Sequence, residues 1–195
     1  MNDEMTWIDQ ARHGSDEAFS YLVEMYQTPV YNLCHRMLGE DETAEDASQE
    51  TFIKAYRNLG RYDANRSFAT WLLSIAAHHC IDLLRRRKYP VFSMDEFEGD
   101  YELPDKNIPD PQEEVERREE QVHMQRMLNS LDATDRAAII LRYWNDCSEV
   151  EIARALSLTV PAVKSRLHRA RHALASLVEQ GTFHPGRRQH ESPAF

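Results

Sequence analysis

The sequence predicts an all-α protein in which two small helical domains are joined by a flexible acidic linker, the second domain being a helix-turn-helix domain. Helix start and stop signals recur along two blocks, neither block shows convincing strand alternation, and prolines and acidic residues concentrate between the blocks. A hydrophobic content of 42% suffices for packed cores. We therefore expect domains at 1–89 and 116–180, a linker at 90–115 and a loose tail at 181–195.

The first block begins with two predicted helices. An apolar stripe that starts at Asp16 indicates the first helix. Thr28 followed by Pro29 has the form of an N-cap with proline at the first helical position, so we expect a second helix to begin there. Gly39 is expected to end it.

Two longer helices are expected in the rest of this block. One should run from about Glu42 to Leu59, with Gly60 as the glycine that commonly follows a helix. After the loop RYDANR, Ser67 begins another helix, which ends in the basic run 85–88. Cations at that end suit the helix dipole.

The second block predicts four helices. A charged helix should cover about 111–130, and another should cover 132–143, with the aspartate at its start as the cap. The run SEVE at 148–151 fits a capping box that opens a short helix. The turn at 157–159 then leads into a basic helix.

The formal net charge of −10 is unevenly distributed. Residues 93–120 contain twelve acidic and three basic side chains, a net of −9, so the rest of the chain sums to about −1. The global charge is therefore a poor guide to partners, because a local basic surface can persist in an acidic protein.

The last predicted helix carries that basic surface in the segment VKSRLHRARHAL, 163–174. At about 100° per residue, Val163, Leu167, Ala170 and Leu174 form one apolar stripe. The other side carries only polar and basic groups: Lys164, Ser165, Arg166, His168, Arg169, Arg171 and His172. A solvated surface helix usually mixes charge signs, but no acid occurs from 160 to 178. The pattern favours a helix-turn-helix unit whose second helix enters the DNA major groove.

A second charged surface has the opposite sign. Residues 40–50 contain six acids and no base, a composition that repels DNA and favours a protein partner. The helix dipole alone explains acids in a first turn such as Asp41 and Glu42, but not those from Asp46 to Glu50.

Several classes of protein are disfavoured. Cys34, Cys80 and Cys147 lie far apart without a CxxC pair, which argues against a disulfide framework and for a reducing cytoplasm. The N terminus lacks the pattern of a signal peptide, and no apolar stretch approaches the roughly 18 residues of a membrane span. We expect a cytoplasmic protein that does not insert into the membrane.

Enzyme chemistry is not indicated either. The sequence has no glycine-rich phosphate loop and no nucleophile elbow, so we expect no catalytic residues and no cofactor. The run His78–His79–Cys80 suggests a metal site at first sight. Adjacent helical residues point about 100° apart and cannot converge on one ion, so we expect no metal.

Three segments resemble the extracytoplasmic-function (ECF) sigma factors of bacterial RNA polymerase. The stretch 131–175, which ends in VKSRLHRAR, is similar to their region 4, and DETAEDASQETFIKAYRNL is similar to region 2.2 through its AED and QETF strings. The stretch RYDANRSFATWLLSIAAHHCIDLLRRRK resembles regions 2.3 and 2.4. It departs from the family pattern at His78, where asparagine is usual, so the downstream sequence that it reads is in doubt.

The resemblance implies partners and site residues. The partners are core RNA polymerase (the β′ clamp coiled coil and the β subunit), promoter DNA and an anti-sigma factor, and the free protein is expected to be a monomer. The polymerase interface candidates are Asp46, Gln49, Glu50 and Phe52. The upstream (−35) element would be read by Lys164, Ser165, His168 and Arg169, with Arg166 and Arg171 on phosphates. The downstream (−10) element would be recognised and melted by Tyr62, Asn65, Arg66, Ser67, Trp71, His78, Arg85 and Arg86.

Some alternatives stay open from sequence. Trp71 is either a stacking platform for a base or a core residue, and a single tryptophan on an apolar stripe favours the core. The acidic linker is either a nucleic-acid mimic inside polymerase or a polar tether. A stand-alone helix-turn-helix regulator remains the rival function, and it would bind duplex DNA without polymerase.

Overall fold

The regular structure is helical throughout the part of the chain that the structure, a computed structural model, describes: residues 3–88 and 111–179. The predicted tail and most of the predicted linker lie outside these ranges. In chain order the helices are α1 (Asp3–Arg12), α2 (Asp16–Leu38), α3 (Asp41–Asn58), α4 (Phe68–Lys88), α5 (Pro111–Asn129), α6 (Ala133–Tyr143), α7 (Glu149–Ala155) and α8 (Val160–Leu177), with a 3₁₀ turn at Leu59–Arg61 after α3. The all-α prediction is confirmed.

Helix α2 corrects the prediction of two helices meeting at Pro29. It is continuous for 23 residues, its N-cap is Ser15, and Pro29 lies in its interior. An interior proline removes one backbone hydrogen bond, at a cost of about 3 kcal/mol. Leu22 before the proline, and Val30 and Leu33 after it, are all buried, and this continuous packing offsets the loss.

The other helix ends test the remaining local signals. Asp132 accepts a hydrogen bond from the Thr134 amide at 3.0 Å, and Ser67 accepts one from the Thr70 amide at 3.4 Å, as the sequence predicts. Gly39 ends α2 with φ 83°, a left-handed conformation that glycine adopts without strain. Gly60 does not play that part, because α3 runs directly into the 3₁₀ turn. The short helix α1 was not predicted.

The predicted capping box at the start of α7 is confirmed in both directions. The Ser148 hydroxyl accepts a hydrogen bond from the Glu151 amide at 3.2 Å, and the Glu151 carboxylate accepts one from the Ser148 amide at 2.8 Å. Hydrogen bonds from the Ser148 hydroxyl and amide hold the pKa of Glu151 below its ordinary value of 4.5. The ionised carboxylate is therefore stabilised by folding.

This box predicts an acid-sensitive contribution to stability. Because the pKa of Glu151 is lowered by folding, the carboxylate stabilises the protein above pH 4.5 and loses this effect as the pH falls through the folded pKa. We expect Glu151→Gln, which keeps a side-chain acceptor, to melt below the wild type at neutral pH. The two melting temperatures should converge as the pH falls below 4.5 and through the lowered pKa of Glu151, in thermal unfolding followed by circular dichroism. A difference in melting temperature between the two proteins that does not change with pH would contradict this account.

Helix α2 forms the centre of the first half and contacts α1, α3 and α4. Cys34 on α2 and Cys80 on α4 are fully buried, and the contact with the Cys34 thiol followed by burial raises the pKa of Cys80. Burial also raises the pKa of Cys147 to about 11. Thiols held protonated in this way are poor nucleophiles, and the cysteines act as small buried hydrophobes.

In the second half, α6, α7 and α8 pack around one apolar core. Ile140 from α6, Ile152 from α7, and Val163 and Leu167 from α8 are all buried in it. The predicted apolar stripe of α8 is thus the face that packs inward, and its basic side is left outside. Helices α7 and α8, with the turn between them, form the predicted helix-turn-helix unit.

The two halves also pack against each other, which the sequence did not indicate. Helix α2 contacts α5 and α6, and α4 contacts α6 and α7. The buried guanidinium of Arg136 on α6 donates a hydrogen bond to the Met37 carbonyl at the end of α2, at 2.6 Å. Within the described residues, no helix is long and apolar enough to cross a membrane.

Candidate nucleic-acid interfaces

The upstream surface is the exposed side of α8, formed by Lys164, Ser165, His168, Arg169, Arg171 and His172. The helix starts cleanly because Thr159 caps it, accepting a hydrogen bond from the Ala162 amide at 3.3 Å. Ser157 in the preceding turn has φ 54°, which sets the sharp change of direction between α7 and α8. These local features present the basic side of α8 to solvent as a rigid unit.

Acidic side chains of α6 and α7 brace this surface from behind. Arg166 pairs with Asp135 at 2.6 Å, and both groups are largely shielded, with side chains 28% and 13% exposed. Arg169 reaches the other oxygen of Asp135 at 3.6 Å. The structure therefore turns Arg166 towards α6, where sequence reasoning expected a phosphate contact, whereas Arg169 remains mostly exposed.

Two further contacts order the outer side chains. Lys164 lies 3.6 Å from the Glu149 carboxylate on α7, and Arg171 donates a hydrogen bond to the Tyr143 hydroxyl at 3.4 Å. The rings of His168 and His172, one helical turn apart, lie against each other at a tilt of 48°, with centroids 4.4 Å apart. The polar and basic side chains predicted from the sequence thus lie together on one face of α8. Most of them are restrained only by weak contacts at exposed positions.

The downstream loop comprises residues 62–67, between the 3₁₀ turn and α4. Asp63 accepts hydrogen bonds from the backbone and side-chain nitrogens of Asn65, both at 3.0 Å, and these bonds lower the pKa of Asp63. Arg66 lies 3.4 Å from the same carboxylate. Asn65, Arg66 and Ser67 are exposed, so the loop presents polar groups in a defined shape.

An aromatic cluster supports this loop from below. Tyr62 is buried, its hydroxyl donates to the Arg66 carbonyl, and its ring lies 5.3 Å from Phe68 and 5.2 Å from Trp71. Tyr62 is therefore placed to hold the loop in shape and not on its surface. Trp71 is half-buried in the cluster, as the core interpretation predicts, and one part of it faces a cavity.

That cavity, of about 230 Å³, lies between the downstream loop and α7. Asn65, Arg66 and Trp71 line one side, and Glu151 and Arg154 line the other. The Thr70 hydroxyl donates a hydrogen bond to the Glu151 carboxylate across it, at 3.4 Å. The cavity therefore joins the loop predicted to read DNA to the first helix of the helix-turn-helix unit.

Further along α4, His78, Arg85 and Arg86 are exposed as predicted. The Nδ1 atom of His78 lies 2.8 Å from the Ser74 carbonyl, and since a carbonyl only accepts, Nδ1 carries the proton. Neutral His78 consequently offers Nε2 as an acceptor to solvent, where asparagine would offer both a donor and an acceptor.

His79 is directed elsewhere. The Lys54 ammonium donates a hydrogen bond to His79 Nδ1 at 2.7 Å, and burial lowers the pKa of His79. The two adjacent histidines therefore face different surroundings, as their spacing predicts. Within residues 3–87 and 119–179, no three His, Cys, Asp or Glu side chains are placed to hold a metal ion.

The α3 face is the exposed strip formed by Asp46, Gln49, Glu50, Ile53 and Tyr56. The first three residues were predicted, but Ile53 and Tyr56, exposed by 43% and 44%, were not. They follow Asp46 and Gln49 by seven residues, so the helical period places them on the same side. Phe52, the fourth predicted residue, is half-buried and packs partly against the core.

These surfaces define a class of protein: a two-part helical DNA-binding protein with a separate acidic and apolar face. Residues 22–89 match the family model of Sigma-70 region 2, and residues 122–174 match that of Sigma-70 region 4.

Full-length relatives agree with the two family models. The chain is 37% identical over 172 residues to the ECF RNA polymerase sigma factor SigW of Bacillus subtilis, covering 86% of this chain and 92% of SigW. It is 33% identical over 174 residues to the RNA polymerase sigma-H factor of Pseudomonas aeruginosa, covering 86% of this chain and 89% of that protein. The chain therefore belongs to the ECF family of RNA polymerase sigma factors.

A solved structure extends the comparison to the fold. CnrH, in complex with the cytosolic domain of CnrY, aligns with a TM-score of 0.69 and 25% identity over 92% of this chain and 99% of CnrH. The alignment spans both halves of the chain.

Proposed function

We propose that this protein binds core RNA polymerase, directs it to specific promoters and helps to melt them, acting as an initiation factor and not as an enzyme. The observation that carries the proposal is the combination of three surfaces in one chain of this family. A cationic recognition helix and an aromatic, basic loop suit two DNA elements, and the α3 face suits a protein.

On the upstream surface, Lys164, Ser165, His168 and Arg169 contact base edges of the −35 element. Two features support these contacts. The buried apolar stripe holds α8 in place, and only weak, exposed ion pairs restrain its outer side chains. Arg171 contacts a phosphate. Arg166 acts mainly through Asp135, holding α8 against α6, because its guanidinium is committed to a shielded ion pair.

On the downstream side, Asn65, Arg66 and Ser67 hold an unpaired base of the −10 element. Tyr62 positions the loop from below, and Trp71 presents part of its ring to the cavity in which a base can stack. His78, Arg85 and Arg86 extend a polar and cationic track along α4. Trapping a base outside the stack in this way favours the melted promoter.

The α3 face binds core polymerase at the β′ clamp coiled coil, and the second half contacts the β subunit. Acidic groups at Asp46 and Glu50 supply charge, and Ile53 and Tyr56 supply apolar area. The free protein is a monomer, and an anti-sigma factor controls it. The support for this control is the complex of CnrH with the cytosolic domain of CnrY.

Arg169 offers a direct test of base reading. If its exposed guanidinium makes a bidentate contact, Arg169→Ala should cost about 1–3 kcal/mol at one base pair of the upstream element. The preference at that position should relax in a promoter-variant transcription assay. Unchanged preference at every upstream position would remove Arg169 from the reading set.

The function itself is tested by capture of purified core RNA polymerase, followed by transcription from a genomic promoter library. We expect stoichiometric binding and new, sequence-specific start sites. Salt-sensitive binding to duplex DNA without binding to core polymerase would instead establish a stand-alone regulator.

A further inference from the structure

One polar contact beside the α3 face has no part in the proposed function. Lys54, one of two cations on α3, donates a hydrogen bond to His79 Nδ1 on α4 at 2.7 Å. The same ammonium lies 3.7 Å from the carboxylate of Glu50, one turn earlier on α3. Glu50 belongs to the α3 face, and its side chain is 39% exposed. Lys54 therefore lies between two partners, and its shorter contact is with the histidine.

Only the neutral form of His79 can hold Lys54 in this way. Nδ1 needs a free lone pair to accept a hydrogen bond from an ammonium, so the ring proton is on Nε2. Burial, followed by the charge of Lys54, lowers the pKa of His79 below its ordinary value of 6.5, and the ring is therefore largely neutral at pH 7. Protonation of Nδ1 would end the hydrogen bond and set two cations against each other.

The charged groups that act on this ring come from α3 and from α4 itself: Lys54, Glu50, Asp82 and Arg86. On the α2 side, the Cys80 thiol stays protonated, because contact with Cys34 and burial raise its pKa. In the second half, Glu151 of α7 contacts α4 nine residues before His79, and Arg136 of α6 is committed to the end of α2. The α3 ammonium is thus the cation whose position depends directly on the state of the ring.

The position of Lys54 sets the charge that Glu50 presents on the α3 face. While His79 holds the ammonium, the carboxylate has only a loose ion pair with it, and its negative charge is open to a cation of a partner. Once released, Lys54 remains within reach of Glu50, because residues four apart on a helix are neighbours, and it then neutralises the carboxylate. A basic partner surface would lose one charge-assisted contact.

We propose that His79 is a positioning residue of the polymerase interface: its neutral imidazole draws Lys54 away from Glu50 and keeps that carboxylate free for a cation of core polymerase. The inference rests on the proposed function and deepens it, since it assigns part of the binding to a residue outside the α3 face. Because the ring acts only when neutral, its contribution to binding is present above pH 6.5 and is lost as the pH falls through the lowered pKa of His79.

The experiment measures the affinity of the full chain for core RNA polymerase across a pH series. The series starts above pH 6.5 and continues below the transition of His79, which an NMR titration of the ring locates. His79→Asn keeps an oxygen acceptor near the position of Nδ1 but does not titrate, whereas His79→Leu removes the acceptor. Lys54→Gln removes the cation and is made alone and together with His79→Leu. His13→Gln, at an exposed position just after α1, is the control for the loss of one histidine.

Above pH 6.5, we expect His79→Asn to bind like the wild type and His79→Leu to bind about three- to tenfold more weakly, the effect of one lost polar contact. As the pH falls, the affinity of the wild type should approach that of His79→Leu, and His79→Asn should not follow it. With Lys54→Gln, the additional change His79→Leu should have no effect, because no ammonium remains to be released. The control should match the wild type at every pH.

Three results would each overturn the inference. They are wild-type affinity in His79→Leu, a pH dependence in His79→Asn equal to that of the wild type, and an equal effect of His79→Leu with and without Lys54. Circular dichroism at each pH checks that every variant stays folded. Failure of every version, wild type included, to bind core polymerase above pH 6.5 would instead refute the proposed function, and this inference with it.

Discussion

Ile53→Glu should weaken the binding of core RNA polymerase by more than about 30-fold, a loss of at least 2 kcal/mol. Ile53 is 43% exposed at the centre of the α3 face, flanked by Gln49 and Glu50. An apolar side chain surrounded by polar groups is typical of an interface centre. Replacing it with a carboxylate removes apolar contact and adds a charge that must be desolvated. The measurement is a titration of labelled protein with core polymerase.

Met25→Glu provides the matched control. Met25 is 45% exposed on α2, so the same change of charge and a similar loss of apolar surface occur away from the α3 face. Both substitutions place glutamate, a good helix former, at an exposed position. The free energy of unfolding of each variant should therefore lie within about 0.5 kcal/mol of that of the wild type. Equal loss of binding in the two variants would mean that charge alone, and not the α3 face, governs the association.

Asp135→Ala should destabilise the second half by about 2–4 kcal/mol. The Asp135 carboxylate is 13% exposed and holds Arg166 at 2.6 Å and Arg169 at 3.6 Å, so its removal leaves a shielded guanidinium without its nearest acid. The estimate lies below the range for fully buried pairs because Arg166 is 28% exposed. We expect a lower urea midpoint for the second half and weaker use of the upstream element.

Glu149→Gln is the comparison for this prediction. The Glu149–Lys164 pair also joins α7 to α8, but its side chains are 39% and 63% exposed, and exposed pairs contribute little. We expect its unfolding free energy to change by less than about 0.5 kcal/mol. If the two variants unfold alike, Asp135 does not brace the recognition helix.

Local chemistry explains what the sequence predicted correctly. The caps at Asp132 and Ser148 depend on hydrogen bonds within three residues, so the sequence contains both partners. The apolar stripe of α8 depends only on the helical period. The motifs shared with the family located both predicted DNA-binding surfaces in the sequence. Each of these features is decided within one helix or one turn.

The features that sequence reasoning missed depend on contacts between distant segments. Pro29 stays helical because neighbouring helices bury α2 residues both before and after it, and packing of that kind overrides a local signal. Arg166 pairs with an acid 31 residues earlier, so a helical wheel of α8 alone placed it with the phosphate contacts. The contacts between the two halves join residues about 90 positions apart, such as Gln125 and Arg36, and no periodic pattern marks them. Ile53 was within reach, because it follows Asp46 by seven residues and the helical period places both on one side of α3.

The internal ion pairs of the upstream surface bear on its response to salt. Four cations that each neutralise one phosphate would give a slope of about −3.6 for log affinity against log salt. Lys164 and Arg169 already lie beside carboxylates of the protein itself. When DNA replaces those carboxylates as the partner of each cation, the carboxylates must take up counterions from solution. Arg166 stays with Asp135 and releases none. Upstream binding should therefore follow a shallower slope than the cation count implies, and the protein should keep more of its affinity when the ionic strength of its surroundings rises.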